Sequence, residues 1–119
     1  MSDSDSIKEL QQLVADFIKR RDWIKYHTVK NLAMSISIEA AEIMELLQWF
    51  TSEEATEQIQ NNPDLKAKLE DELADVLIYC FSLSVCVNID LNKIIRNKLA
   101  KNEKRFPVDV VSGRLGPYK

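Results

Sequence analysis

Glycine is almost absent from this chain. Its 119 residues hold two, Gly113 and Gly116, both among the last seven. From Met1 to Ser112 nothing supplies the residue on which tight hairpins with positive φ ordinarily rely. An all-α body is the simplest fold such a stretch permits. The length suits a single domain over 1–119, with a core at about 6–107 and an irregular tail at 108–119. A domain of this size buries proportionally little surface and gains from oligomerising. Apolar residues make up 45% of the chain, which excludes a disordered polymer. The net charge of −3, without a basic tract of the kind that grips a phosphate backbone, argues against a nucleic-acid polymer as partner.

Cys80 and Cys86 are six residues apart. On one helix that is a rise of about 9 Å, beyond the roughly 7 Å Cα limit for a disulfide. They read as reduced core thiols of a cytoplasmic protein. The polar, acidic start, Met1 to Ser6, is not a signal peptide, and the apolar-rich stretch Val76 to Val87 is too short to span a bilayer. No membrane association is expected.

Helix signals recur along the chain. Ser6 with Glu9 reads as a capping box opening a helix of about 15 residues, with Leu10, Leu13, Val14, Phe17 and Ile18 in helical period. After a joint at 21–27, Thr28 caps a long helix to about Gln48 or Phe50. Thr51 and Glu54 make a second capping box for a short polar helix. Asn62 as cap and Pro63 as first helical residue open a fourth helix to about Val87. Asp90 caps a fifth to about Lys104, and Pro107 ends it.

Two of these helices break their own pattern. The second carries a seam at Leu32, Ile36, Glu39, Ile43, Leu46 and Phe50, stepping four, three, four, three, four. The fourth carries one at Leu65, Leu69, Glu72, Val76, Tyr79, Leu83 and Cys86. One carboxylate interrupts each seam, and a lone charge among apolar residues is costly unless it is paired or binds metal. Each has a companion three residues on, Glu42 after Glu39 and Asp75 after Glu72, on the same helix face. If the two helices pack together, four carboxylates converge, and they cannot all stay ionised without a cation. Hard oxygen ligands suit Mg²⁺, with Mn²⁺ as substitute, and Mg²⁺ suits phosphate substrates. A single Glu-x-x-Glu says almost nothing, and spacing alone leaves two solvated helix faces as an open alternative. A carboxylate di-iron bundle needs Glu-x-x-His doublets, and the one histidine, His27, has no Glu three residues before it.

At these residues the chain resembles a known family. The string from Ile38 through Glu39, Glu42 and Glu45 to Trp49 resembles the first motif of MazG-like nucleotide pyrophosphohydrolases, and the string from Glu72 to Tyr79 the second. The nearest branch is that of the dCTP pyrophosphatases. It has a similar segment at Arg21-Asp22-Trp23 and His27 to Leu32, and a similar tail at Lys98, Asn102, Arg105, Phe106 and Pro107. The resemblance runs from about Arg21 to Pro107. Ala41 departs from the Gly frequent in that branch, which is harmless inside a helix.

The resemblance implies a four-helix-bundle core of MazG type completed by dimerisation, as a homodimer or homotetramer. It implies Glu39, Glu42, Glu72 and Asp75 as metal ligands and catalytic residues. The implied reaction is Mg²⁺-dependent hydrolysis of (deoxy)nucleoside triphosphates to monophosphate and pyrophosphate, with dCTP the leading substrate and nucleotide-pool housecleaning the role. Trp23, Trp49 and Tyr79 are candidates to line a base pocket; all three also read as core aromatics, Trp23 least so because it sits in a joint rather than on a seam. His27 is a candidate partner for base or sugar, Asn102 for a base edge or sugar, and Lys98 and Arg105 for phosphates. Glu42 or Glu45 could orient the attacking water or take its proton, though Glu45 reads first as a solvated residue one turn on. Lys101 and Lys104 have no assigned part. The rival class is a non-catalytic helical dimerisation or nucleotide-binding module, which would not need a divalent ion.

Overall fold

The structure, a computed structural model, describes residues 5–114. They form six α-helices and no strand: α1 (Ser6–Arg20), α2 (Val29–Leu47), α3 (Ser52–Asn61), α4 (Pro63–Cys86), α5 (Leu91–Arg105) and α6 (Val108–Val111), with a one-turn 3₁₀ helix at Ile24–Tyr26. The all-α expectation holds. They fall into two compact units that divide between Asn88 and Ile89.

Four of the five expected caps are in place. Thr28 Oγ1 accepts from the Asn31 amide at 3.2 Å, Asn62 Oδ1 from Leu65 at 3.2 Å, and Asp90 Oδ1 from Lys93 at 3.1 Å. Thr51 and Glu54 form the reciprocal box: Thr51 Oγ1 accepts from the Glu54 amide at 3.1 Å, and the Thr51 amide donates to Glu54 Oε1 at 2.8 Å. The first helix differs. Its cap is Asp5, whose Oδ1 accepts from the amides of Ile7 at 3.0 Å and Lys8 at 3.3 Å, and Ser6 is already helical. An ionised carboxylate complements the positive helix end better than a neutral hydroxyl does. A short helix also stands at Val108–Val111, in the stretch read as irregular; 115–119 lie outside the described residues.

Without glycine, two helix exits need another residue that tolerates the left-handed region. Asp22 (φ 54°) and Asn88 (φ 55°) fill those places, as short polar side chains can.

In the first unit α4 is the central element, packed most extensively on α2 and also on α1 and α3. The seams are the packed faces: Leu32 is 2% exposed, and Ile36, Ile43, Leu46, Leu65, Leu69, Val76, Tyr79 and Leu83 are part-buried. Full burial of a leucine such as Leu32 contributes about 1.5–3 kcal/mol. The far ends, Phe50 and Cys86, are exposed. Cys86 is therefore not the core thiol expected; its Sγ donates to the His27 carbonyl at 3.1 Å, tying the end of α4 to the joint before α2. Both cysteines are free.

A polar clamp fixes α1 on α4. Ser84, 1% exposed, donates to the Phe81 carbonyl at 2.6 Å and accepts from Gln11 Nε2 at 2.7 Å. Its hydroxyl is thus satisfied on both sides, which a buried polar group requires.

Candidate metal centre

Packing α2 on α4 brings the two interrupted seams together. One carboxylate oxygen from each of Glu39, Glu72 and Asp75 lies within 4.8 Å of the others. Glu42 joins them through side-chain hydrogen bonds with Glu39 and Glu72. All four side chains are part-buried. Glu39 and Glu72 occupy the seam positions, so their oxygens point between the helices, and the companions one turn on close the same side.

Like charges this close push on one another's protons. The hydrogen bond with Glu42 raises Glu72 most, followed by loss of water and the charges of Glu42, Glu39 and Asp75; together they carry it from 4.5 to about 7. Glu39 is raised by its own hydrogen bond with Glu42, then by loss of water and the charges of Glu42 and Asp75, against a smaller opposing pull from Glu72. Glu42 accepts from both neighbours and is held below the usual carboxylate range. Without a cation, carboxylates this close favour holding protons instead.

Two atoms remain unserved. Glu39 Oε2 and Glu72 Oε2 are buried and have no hydrogen-bond partner among the described residues. A buried carboxylate oxygen without a donor is a costly arrangement that a cation relieves. Ligand oxygens on Mg²⁺ sit 2.0–2.1 Å from the ion and so at most about 4.2 Å from each other. The observed spread of up to 4.8 Å closes to that with a shift of about half an ångström. An all-carboxylate donor set on rigid helices fits Mg²⁺ or Mn²⁺ and does not fit a thiol- or imidazole-seeking ion.

The other sequence-derived residues are placed as follows. Trp23 opens the 3₁₀ turn and meets the Phe17 ring edge-on at 5.9 Å, with the Arg21 guanidinium 3.7 Å above that ring. His27 closes the turn, its Nδ1 2.7 Å from the Trp23 carbonyl, so that nitrogen carries the proton and donates. His27 also lines a cavity of about 340 Å³ between α1 and the end of α4, with Asp16, Ile18, Ile24, Val85 and Cys86 among its other walls. Tyr79 is part-buried one turn beyond Asp75. Trp49, just past α2, is 87% exposed and so is no core aromatic of this chain. Glu45 is exposed on α2. Lys98, Asn102 and Arg105 lie on α5 in the second unit, where Asn102 is part-buried and the Arg105 guanidinium stands 5.1 Å from the Phe106 ring. The Phe17–Arg21 stack beside Trp23 went unnoticed in the sequence, although Phe17 and Arg21 are spaced one helical turn apart.

The chain is similar to known proteins. The MazG-like family matches residues 34–114, a span that holds all four carboxylates. The dCTP pyrophosphatase 1 of Homo sapiens is 34% identical over 117 residues, 98% of this chain and 68% of that protein. The dCTP pyrophosphatase 1 of Bos taurus is 32% identical over the same length, covering 69% of that protein. A crystal structure of a pyrophosphatase from Archaeoglobus fulgidus superposes with a TM-score of 0.81 at 39% identity, over 90% of this chain and 97% of that one.

Proposed function

The chain belongs to the MazG-like family, close to the dCTP pyrophosphatases, and we propose that it hydrolyses nucleoside triphosphates to monophosphate and pyrophosphate with a divalent ion. The family match crosses the division at Asn88, which supports reading both units as one MazG-like domain. The leading substrate is dCTP, after the named activity of the relatives, and the leading ion is Mg²⁺.

The observation that carries this reading is the pair of buried, donorless oxygens, Glu39 Oε2 and Glu72 Oε2, contributed by two facing helices. Glu39, Glu42, Glu72 and Asp75 would hold the ion. Once bound, it would neutralise phosphate charge and acidify a water for attack at the α-phosphorus. The protein's own part is to hold and release protons. Glu72 and Glu39 must give theirs up for their oxygens to become ligands. Glu42, which lies in the cluster, or Glu45, which is exposed one turn on, is assigned to orient the attacking water or take its proton. Trp23, Trp49, Tyr79 and His27 are assigned to base and sugar, and Lys98, Asn102 and Arg105 to sugar and phosphates.

A homodimer or homotetramer belongs to the same reading. Met34, Ile38 and Met44 on α2 and Leu73 and Leu77 on α4 are about half exposed or more, on the two helices that hold the cluster. Large apolar side chains clustered at the surface mark an interface. Two free thiols suit a cytoplasmic housecleaning role.

The test is pyrophosphate release from a panel of dNTPs and NTPs, with and without Mg²⁺, by the wild type and by Glu72→Gln. Release that needs Mg²⁺ and disappears in the variant is expected. A folded, oligomeric protein that releases nothing from any nucleotide would overturn the proposal in favour of a binding module.

A further inference from the structure

The net charge of −3 conceals a division. Residues 1–88 carry eight Lys and Arg against sixteen Asp and Glu, a net of −8, whereas residues 89–119 carry eight against three, a net of +5. The boundary is the one between the two compact units. Most of the positive charge is on α5, where six of fifteen residues are Lys or Arg and one, Glu103, is acidic.

Helical period sorts those cations into two sets. Leu91, Ile94, Ile95 and Leu99 share one side, and Lys98, Asn102 and Arg105 fall among them. Lys93, Arg96 and Lys104 fall on the opposite side, and Lys101 borders the apolar side next to Ile94. All four are exposed, and none is in an ion pair among the described residues. Arg96 gives its Nε to Asn92 Oδ1 at 2.6 Å, which fixes the guanidinium against its own helix. Glu103, one heptad beyond Arg96, is the one acidic residue on that side. From Lys93 to Lys104 is about 16 Å along the axis, roughly two Debye lengths at physiological salt, so the fields of neighbouring cations overlap into one patch.

An anionic nucleotide must reach a carboxylate cluster embedded in a unit of net −8, which repels it. We infer that the exposed cations Lys93, Arg96, Lys101 and Lys104 of α5 are the capture surface for the polyphosphate of the incoming nucleotide. This rests on the substrate class proposed above and adds residues to which that proposal gives no part. Charges of this kind act at a distance and reversibly: they raise the rate of encounter and leave the chemical step alone. Lysine, a mobile point charge, suits transient capture better than fixed recognition.

Charge reversal at Lys93, Lys101 and Lys104 to Glu moves the second unit from +5 to −1, and the Gln triple variant moves it to +2. All three side chains are exposed, so helix content by circular dichroism should match the wild type. The first readout is kcat and kcat/KM for dCTP across ionic strength. At low salt kcat/KM should fall in the order wild type, Gln variant, Glu variant, by about tenfold or more to the last, with kcat unchanged. The three should converge at high salt. The second readout is equilibrium binding of dCTP without divalent ion, by calorimetry at low salt, with the same ranking expected. Equal kcat/KM in all three at low salt, or a loss that salt does not erase, would overturn the inference even if the wild type is active. A wild type that hydrolyses nothing yet binds dCTP in this ranked, salt-sensitive way would sink the proposed reaction and leave the capture surface standing. Equal binding by all three would remove it.

Discussion

In the proposed site, protons and Mg²⁺ compete for the same oxygens, and the competition can be worked out from Glu72. Its proton is held with a pKa of about 7, so metal binding must displace it at lower pH. For one such proton the apparent dissociation constant scales as one plus the ratio of protonated to ionised carboxyl, about 1.1 at pH 8 and about 11 at pH 6. Mg²⁺ should therefore bind about tenfold more weakly at pH 6 than at pH 8, and the proton held on Glu39 steepens the dependence. The same proton sets the sign of stability. Glu72 binds it more tightly folded than unfolded, where 4.5 is the ordinary value, so its contribution to the metal-free fold is complete below about pH 4.5 and is lost as pH rises through about 7. The assay is calorimetric titration with Mg²⁺ and Mn²⁺ at pH 6, 7 and 8, each in two buffers of different ionisation enthalpy, which counts the protons released. Thermal melts in EDTA and in saturating Mg²⁺ check the second half: the melting temperature in EDTA should fall from pH 5 to 8, and Mg²⁺ should cancel the fall. Binding that is independent of pH, with no proton released, would refute the reasoning, because the cluster would then not be where the metal goes.

Glu72→Gln removes one like charge and one ligand together, so it should raise the melting temperature of the metal-free protein at pH 8 while reducing Mg²⁺-dependent pyrophosphate release at least about a hundredfold; a destabilised variant would contradict the repulsion described above. Leu77→Arg places a charge on a half-exposed apolar site of α4 and should shift the protein to monomer in sedimentation, with activity lost alongside; an active monomer would show that no second copy is needed. Ser84→Ala removes the Gln11–Ser84 clamp and should cost about 1 kcal/mol in urea unfolding, with kcat/KM for dCTP unaffected because the clamp lies on the α1 side of α4. Cys86 should react with a thiol reagent before Cys80, whose thiol is pushed up by burial and part-covered.

Helix starts were legible because caps are local. Thr28, Thr51 with Glu54, Asn62 with Pro63, and Asp90 each satisfy donors within three residues of themselves, so no tertiary knowledge is needed. At the first helix that locality worked against the reading, since Asp5 and Ser6 both qualify as caps and the choice between them is electrostatic. The exposed end of α4 was not legible either. Cys86 continues the seam by spacing, but it is exposed, and its thiol is bonded to the His27 carbonyl instead. Spacing reports which residues share a face; it does not report how far along the helix a partner extends.

The same distinction divides the candidate site. Glu39 and Glu72 stood out because a carboxylate in an apolar seam carries a cost that demands a reason, and their buried, donorless oxygens show the cost in the folded chain. Their convergence required α2 and α4 to pair at matching heights, which neither helix encodes alone. Aromatic residues carry no such mark. Trp23 stood apart only by sitting in a joint; Trp49 and Tyr79 read alike as core or pocket, and only the fold separates part-buried Tyr79 from Trp49 at 87% exposure. Lys98 and Arg105 were singled out on α5, but the positive balance of the whole second unit was obscured for a different reason. Net charge is an average, and an average of −3 over a unit of −8 and a unit of +5 describes neither. Two charges of opposite sign, one suited to a divalent cation and one to a polyphosphate, are what a metal-dependent phosphohydrolase needs in separate places. Partition by structural unit should therefore precede any inference about partners drawn from the charge of a whole chain.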